Sequence, residues 1–147
     1  MEGYRVRDYT GDDYPQVIRI WEATSMGSPE RGDNKEIIET SIGIGGRLLL
    51  LTEEITGKVI GTSWMTFDGR RIHLHHFGID PVFQGRGLSK ILLKESLRHV
   101  SDKGYQVKIE VHSSNTRALN LYKGFGFKHL GDYEVYIIRD LDGLETG

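Results

Sequence analysis

The sequence predicts an α/β domain of the α+β kind, a mostly antiparallel sheet with helices packed on it, over residues 1–147. Three observations carry this. The runs "RLLLLTEEI", "KVIGTSWMTF" and "RIHLHHFGI" are strand-like and are joined by the turn pairs "TG" and "DG", the second a two-residue hairpin signal, so an antiparallel meander is the simplest reading. From Leu88 to Lys103 the period becomes helical, with Leu88, Ile91, Leu92, Leu97 and Val100 on one broad face and Gly104 as a stop. Strand-like runs then open and close the chain around further helical segments.

In order, "YRVRDYT" reads as a short strand. "GDDYPQVIRIWEATS" follows as a helix whose acidic start precedes Val17, Ile18 and Trp21. "MGSPERGD" is a polar break, and "NKEIIETSIG" a second short helix before the meander. After the leucine-rich helix come a strand in "YQVKIEV", a helix from Asn115 to Lys123 and a last extended segment, "YEVYIIRDL". No internal repeat or linker divides the chain.

Composition excludes several classes. A net charge of -2 gives no reason to expect a nucleic-acid-coating protein. No apolar run has the length of a membrane span, and the start "MEGYRVRDYT" lacks the basic and apolar regions of a signal peptide, so a cytoplasmic protein is expected. The absence of cysteine removes disulfides, thiolate metal sites and a cysteine nucleophile.

The stretch "PVFQGRGLSK", residues 81–90, leads a strand through two glycines into a helix. Such a junction presents unpaired backbone N–H groups and the positive end of a helix dipole, which favours an anion. It holds no Gly-x-x-x-x-Gly-Lys-Ser/Thr, and Lys90 stands where a dinucleotide loop wants its third glycine after Gly85 and Gly87. A plain turn shaped by glycine is the bland alternative.

A second segment, "NTRALNLYKGFGF", sets Asn115, Ala118, Leu121, Tyr122, Gly126 and Phe127 at fixed spacings. With Gln84-Gly85-Arg86-Gly87-Leu88 ahead of a helix and this run behind the next strand, the chain resembles the GNAT superfamily of acetyl-CoA-dependent N-acetyltransferases. The likeness is strongest from Ile72 to Phe127. It departs at Ser89, where the family places glycine or alanine, although serine is still small.

The resemblance implies the GNAT fold, a mixed sheet of about six to seven strands splayed at a β-bulge and carrying about four helices. It implies acetyl-CoA as co-substrate, with its pyrophosphate on backbone N–H groups from Gln84 through Gly85, Arg86, Gly87 and Leu88 to Ser89. Of the nearby cations, Arg86 ranks ahead of Lys90, Arg117 and Lys123, whose bland role is a solvated charge. Phe77, Gly78 and Ile79 would offer backbone groups to the pantetheine arm like an added strand, with Gly78 marking the bulge. Asn115 would bond the cofactor arm, and it could equally cap the helix it begins. Tyr122 would meet the cofactor sulfur; alone, it would read as an amphipathic core residue. A phenol of pKa about 10 is a weaker acid than a thiol of about 8.5, so a hydrogen bond to the departing thiolate suffices.

The acceptor nitrogen must also lose a proton, because an alkylamine of pKa about 10 is mostly ammonium at neutral pH. "RIHLHHFGI" holds three of the six histidines, and in a regular strand His73 and His75 share a face. At an unperturbed pKa of about 6.5 either accepts a proton near neutrality, directly or through water. The arylalkylamine branch of the superfamily carries a similar His-x-His pair on the corresponding strand. A polar sheet face without catalytic purpose, or an ordered water as the base, are the alternatives. A metal is not expected, since His76 would lie across the strand from the pair.

Without cysteine, direct transfer in a ternary complex is expected rather than a covalent acetyl-enzyme. No motif names the acceptor. Asp12, Asp13, Glu22, Glu30, Asp33, Glu36 and Glu39 make the N-terminal region acidic, agreeable to a cationic amine, although most read as solvated charges. A small amine is favoured because the core fold uses the whole chain; protein N-termini and lysines are the alternative. A non-catalytic acyl-CoA sensor would keep the loop and Asn115 without needing Tyr122 or the histidine pair. An interaction module is the third class, and a homodimer through the last strands is compatible with the sequence.

Overall fold

The computed structural model describes residues 1–27 and 29–146, so Ser28 of the "MGSPERGD" break lies outside the described residues. The chain forms two compact units, Met1–Glu110 and Val111–Gly147.

The first unit is a five-stranded sheet in the order β1 (Tyr4–Asp8), β2 (Arg47–Glu53), β3 (Val59–Phe67), β4 (Ile72–Ile79) and β5 (Val107–Ile109). The first four pair antiparallel and β5 joins β4 parallel. Between β1 and β2 run α1 (Tyr14–Ala23) and α2 (Lys35–Gly43); between β4 and β5 runs α3 (Leu88–Lys103). Neighbouring residues of β3 assign the faces. The Trp64 indole donates to Ser41 of α2 at 2.9 Å and stacks on Trp21 of α1 at 5.3 Å, while the adjacent Ser63 hydroxyl meets Ser96 of α3 at 2.6 Å. Successive strand residues point to opposite sides, so α1 and α2 cover one face and α3 the other. Val17, Ile20, Trp21, Ile38, Leu48 and Leu50 are all within 1% of full burial and form the core of the α1–α2 face.

α3 spans the range its periodicity predicts. Gly104 takes a left-handed φ of 80° and returns its N–H to Val100, which ends the helix. The hairpin between β3 and β4 differs from the two-residue turn expected at "DG". It takes residues 68–71, because the Asp68 carboxylate accepts from the backbone N–H of both Arg70 and Arg71 at 2.7 Å and closes a wider turn.

β4 carries a bulge. Thr62 pairs with Gly78 and Trp64 with His75, so His76 and Phe77 stand opposite the single residue Ser63. Gly78 therefore pairs regularly, and the bulge expected there falls one step earlier. The left-handed residue is His76, with φ of 46°, uncommon for a side chain with a Cβ. Tertiary contacts hold it: the Thr62 hydroxyl donates to the His76 carbonyl at 2.7 Å and accepts from the Trp21 indole N–H at 2.8 Å.

The second unit contains α4 (Thr116–Gly124), capped by Asn115, whose side-chain Oδ1 accepts from the Ala118 N–H at 3.2 Å. The extended segment expected at 133–141 forms no strand, and Tyr133, Val135, Tyr136, Ile137 and Ile138 are exposed. Alternation is a local signal, whereas a strand exists only where a second backbone completes its ladder.

Candidate active site

Two features of the first unit meet along β4: a glycine loop after its end and a histidine cluster before its bulge.

The loop leaves β4 through Asp80, nearly fully buried, whose carboxylate accepts from Arg19 at 3.0 Å and caps the turn Pro81–Phe83 through Val82 N–H at 3.1 Å. Burial raises the Asp80 pKa, but the Val82 N–H and the Arg19 guanidinium outweigh it, and the net shift is downward. Gln84 ties the loop to the strand: its side-chain amide donates to Ile79 O at 2.9 Å and its backbone N–H to Pro81 O at 3.3 Å. Its N–H is thus engaged, and the free run begins at Gly85 rather than at Gln84.

Gly85 and Gly87 adopt φ of 83° and 76°, a region that favours glycine, and a Cβ at Gly85 would meet nothing within 4 Å. Gly87 is the N-cap of the sixteen-residue α3 and offers no side chain, so the first-turn N–H groups, including those of Leu88 and Ser89, have no side-chain cap. Leu88 is buried and pins the helix start to the core, while the Arg86 guanidinium lies 4.9 Å over the Phe83 ring. Uncapped N–H groups, a helix dipole and a cation beside open space suit a phosphate group.

Before the bulge, β4 places His73 and His75 on the α1–α2 face with ring centroids 5.2 Å apart. The bulge also brings His76 to this side, correcting the expectation that it lies across the strand. Its ring sits 4.5 Å from Trp21, and its Nδ1 is 2.7 Å from His75 Nδ1. Among the described residues, no group of three or more His, Cys, Asp or Glu is placed to hold a metal ion.

The sequence reading missed a fourth member. Asp33, from the segment before α2, is buried, and its Oδ2 lies 3.2 Å from His76 Nε2. That contact is bent away from the ring N–H direction and so acts as an electrostatic one more than a linear hydrogen bond. Asp33 therefore departs from the solvated role expected of the acidic N-terminal residues. So does Asp13, which is buried and paired in a fork with Arg7 at 2.7 and 2.8 Å.

These surroundings move the histidines from their ordinary pKa. Burial, followed by His76 and His73, lowers His75 to about 3. Burial also lowers His73, opposed by Glu110 at 3.9 Å and reinforced by Lys108. His76 is lowered by burial against the pull of Asp33. The unperturbed value expected for His73 and His75 does not hold, and His76 is lowered likewise, because a cation loses more than a neutral ring on leaving water.

Beyond the bulge the parity of β4 changes, so Gly78 faces α1. A Cβ there would fall 2.8 Å from the Met26 methyl, so the segment after α1 covers this part of the strand. Phe77 lies in the bulge itself and Ile79 is buried on the α3 side. Asn115 and Tyr122 belong to the second unit. There Tyr122 is buried, its ring edge-on to Phe127 at 5.6 Å, and desolvation raises its pKa far above the usual phenol value.

A strand broken by a bulge leads through an uncapped glycine loop into a helix, a junction suited to an anion in an α/β domain. The chain belongs to the acetyltransferase (GNAT) family, whose sequence model matches residues 14–127. The family uses acetyl-CoA. Solved structures share the fold. Glucosamine-6-phosphate N-acetyltransferase from Arabidopsis thaliana is 17% identical with a TM-score of 0.74, over 95% of this chain and 100% of that one. The ribosomal-protein-S18-alanine N-acetyltransferase of Escherichia coli is 20% identical with a TM-score of 0.72, over 85% and 77%. A GNAT family acetyltransferase from Elizabethkingia anophelis with acetyl-CoA bound is 22% identical with a TM-score of 0.66, over 87% and 78%. Among the described residues no helix is long and apolar enough to cross a membrane.

Proposed function

We propose that this protein transfers the acetyl group of acetyl-CoA directly to a primary amine of a small molecule. The observation that carries the reading is the loop after the bulged strand, where Gly85 and Gly87 hold left-handed backbone and leave the start of α3 uncapped. Acetyl-CoA supplies the activated acetyl thioester. The chain supplies the rest. N–H groups from Gly85 to Ser89 bind the pyrophosphate with help from Arg86, and the backbone of Phe77, Gly78 and Ile79 takes the pantetheine arm. Asn115 adds a bond from its side-chain N–H, its oxygen being used in the cap of α4.

The acetyl oxygen is met by a backbone N–H near the bulge. The raised pKa of Tyr122 keeps its phenol protonated over the working range, so it donates a hydrogen bond to the leaving sulfur. The histidine face handles the amine proton. With a pKa of about 3, His75 is a neutral acceptor that takes a proton only as the nitrogen attacks and becomes acidic. His73 lies beside Glu110 with its side chain 40% exposed, although its Nε2 is buried.

The small-molecule preference is supported by the fold shared with glucosamine-6-phosphate N-acetyltransferase. The second reading is a protein α-amine or lysine, the former favoured by the fold shared with the ribosomal-protein alanine acetyltransferase. Initial velocities with acetyl-CoA and an accepted amine test direct transfer: intersecting lines support it, and parallel lines indicate a covalent acetyl-enzyme.

A further inference from the structure

The histidine cluster continues past the pair that sequence singles out. From Asp33, the chain of contacts runs to His76 Nε2 at 3.2 Å, from His76 Nδ1 to His75 Nδ1 at 2.7 Å, and from His75 Nε2 to the Thr66 hydroxyl at 3.2 Å. Thr66 and His73 line an open cavity of about 260 Å³ at the hairpin end of β4. We infer that Asp33 and His76 are positioning residues that hold His75 in the tautomer whose bare Nε2 faces Thr66 and accepts the amine proton. The inference rests on the acetyltransferase reading for the proton's origin, but its geometry stands independently.

The tautomers follow from one constraint. Two neutral rings 2.7 Å apart through Nδ1 must share one proton between those nitrogens. If His76 carried it, His76 Nε2 would be bare and would turn a lone pair toward the Asp33 carboxylate, with its proton displaced to the far side of the ring. If His75 carries it, His76 Nε2 keeps its N–H toward Asp33, His75 Nε2 is bare, and the Thr66 hydroxyl donates to it. Both arrangements satisfy the Nδ1–Nδ1 and Thr66 contacts, but only the second turns an N–H, and not a lone pair, toward the Asp33 carboxylate.

The surroundings enforce it. The His76 ring is wedged against Trp21 at 4.5 Å and Trp64 at 5.1 Å, and its backbone is fixed by the bulge. A Cβ at Gly27 would clash with Asp33 Oδ2 and fall 2.6 Å from His76 Nε2, so glycine is needed there to admit the contact. Other charges in reach are Arg31, which opposes protonation of His76, and Glu110 and Lys108, which act on His73.

The proton count is simple. One proton leaves the attacking amine for His75 Nε2, directly or through the Thr66 hydroxyl. The His75 Nδ1 proton is then shared with His76 Nδ1, and the single positive charge formed faces the Asp33 carboxylate, as in catalytic triads where the carboxylate orients and stabilises without taking the proton.

Long-range proton–nitrogen NMR on protein labelled at histidine nitrogen, without any cofactor, tests this. The expected result is one tautomer in each ring, with His75 protonated at Nδ1 and His76 at Nε2, and loss of that single state in Asp33→Ala. Protonation of His75 at Nε2 in the wild type overturns the inference, as does an unchanged pattern in a folded Asp33→Ala; if that variant fails to fold, the wild-type spectrum alone decides. With an accepted amine, kcat of Asp33→Ala falls about tenfold or more while KM for acetyl-CoA holds. A failure of amine acetylation would sink the functional reading and leave the tautomer result standing; the reversed tautomer would do the opposite.

Discussion

His75 and His76 are sequence neighbours whose Nδ1 atoms lie 2.7 Å apart on the same face of β4, an arrangement a regular strand forbids. The bulge makes it, and the Thr62 hydroxyl on the His76 carbonyl holds the bulge. At most one of the two rings can be charged in this contact, since two imidazolium cations would repel across it.

Acid should therefore loosen the first unit well above the carboxylate range. His75 has a folded pKa of about 3 against about 6.5 unfolded, so between these values the unfolded chain binds the proton and the folded chain does not. The stabilisation is complete above about pH 6.5 and declines as pH falls toward 3, by at most about 1.4 kcal/mol per pH unit for this one group. His73, His76 and His99 are lowered too and add to the slope, whereas the depressed Asp8, Asp13 and Asp80 act only below about 3.8. Urea midpoints at pH 7 and 4.5 check this: the midpoint drops in the wild type and drops less in His75→Gln. Equal midpoints at both pH values would contradict the buried neutral cluster.

Gly27 and Gly43 should separate steric need from ordinary glycine. Gly27→Ala forces Asp33 and His76 apart and costs about 1–3 kcal/mol of stability. Gly43 closes α2 with nothing within 4 Å of a Cβ and without a left-handed φ, so Gly43→Ala is neutral or stabilising by up to about 1 kcal/mol. Denaturant titration of both variants reads the difference, and similar costs would argue that Gly27 admits no specific contact.

Gly87→Ala should act on the cofactor. Left-handed φ of 76° disfavours a Cβ by about 1–2 kcal/mol, although the nearest atom, the Met1 methyl, would be only in ordinary contact at 4.0 Å. Relaxation of that strain would tilt the first N–H groups of α3. Calorimetric titration with acetyl-CoA is expected to show about a tenfold or greater loss of affinity. Unchanged affinity would remove the loop from the binding site.

Much of this architecture was legible in the sequence because its signals are local. The period of α3, the stop at Gly104, the Asn115 cap and the glycine loop each depend on residues a few positions apart, as does the shared face of His73 and His75. What escaped was set by distant partners. Asp33 reaches His76 from forty-three positions away, and nothing in "ERGD" distinguishes it from a solvated acid. His76 turns because of Thr62 and Trp21, and the wider hairpin depends on an Asp68 carboxylate competing for backbone donors. The bulge expected at Gly78 falls one step earlier, within the His-His-Phe-Gly run that interrupts an otherwise alternating strand. The segment 133–141 shows the converse, a clear alternation without a strand.

Acetyl-CoA-dependent release of CoA across a panel of small amines, amino acids, aminoglycosides, peptide N-termini and lysine peptides tests the central claim most directly, with Tyr122→Phe as control. The account predicts turnover and an N-acetylated product with at least one small primary amine, and a loss of kcat in a folded Tyr122→Phe. Acetyl-CoA binding without turnover on any amine would contradict it in favour of a sensor, and absence of binding would contradict the cofactor site itself.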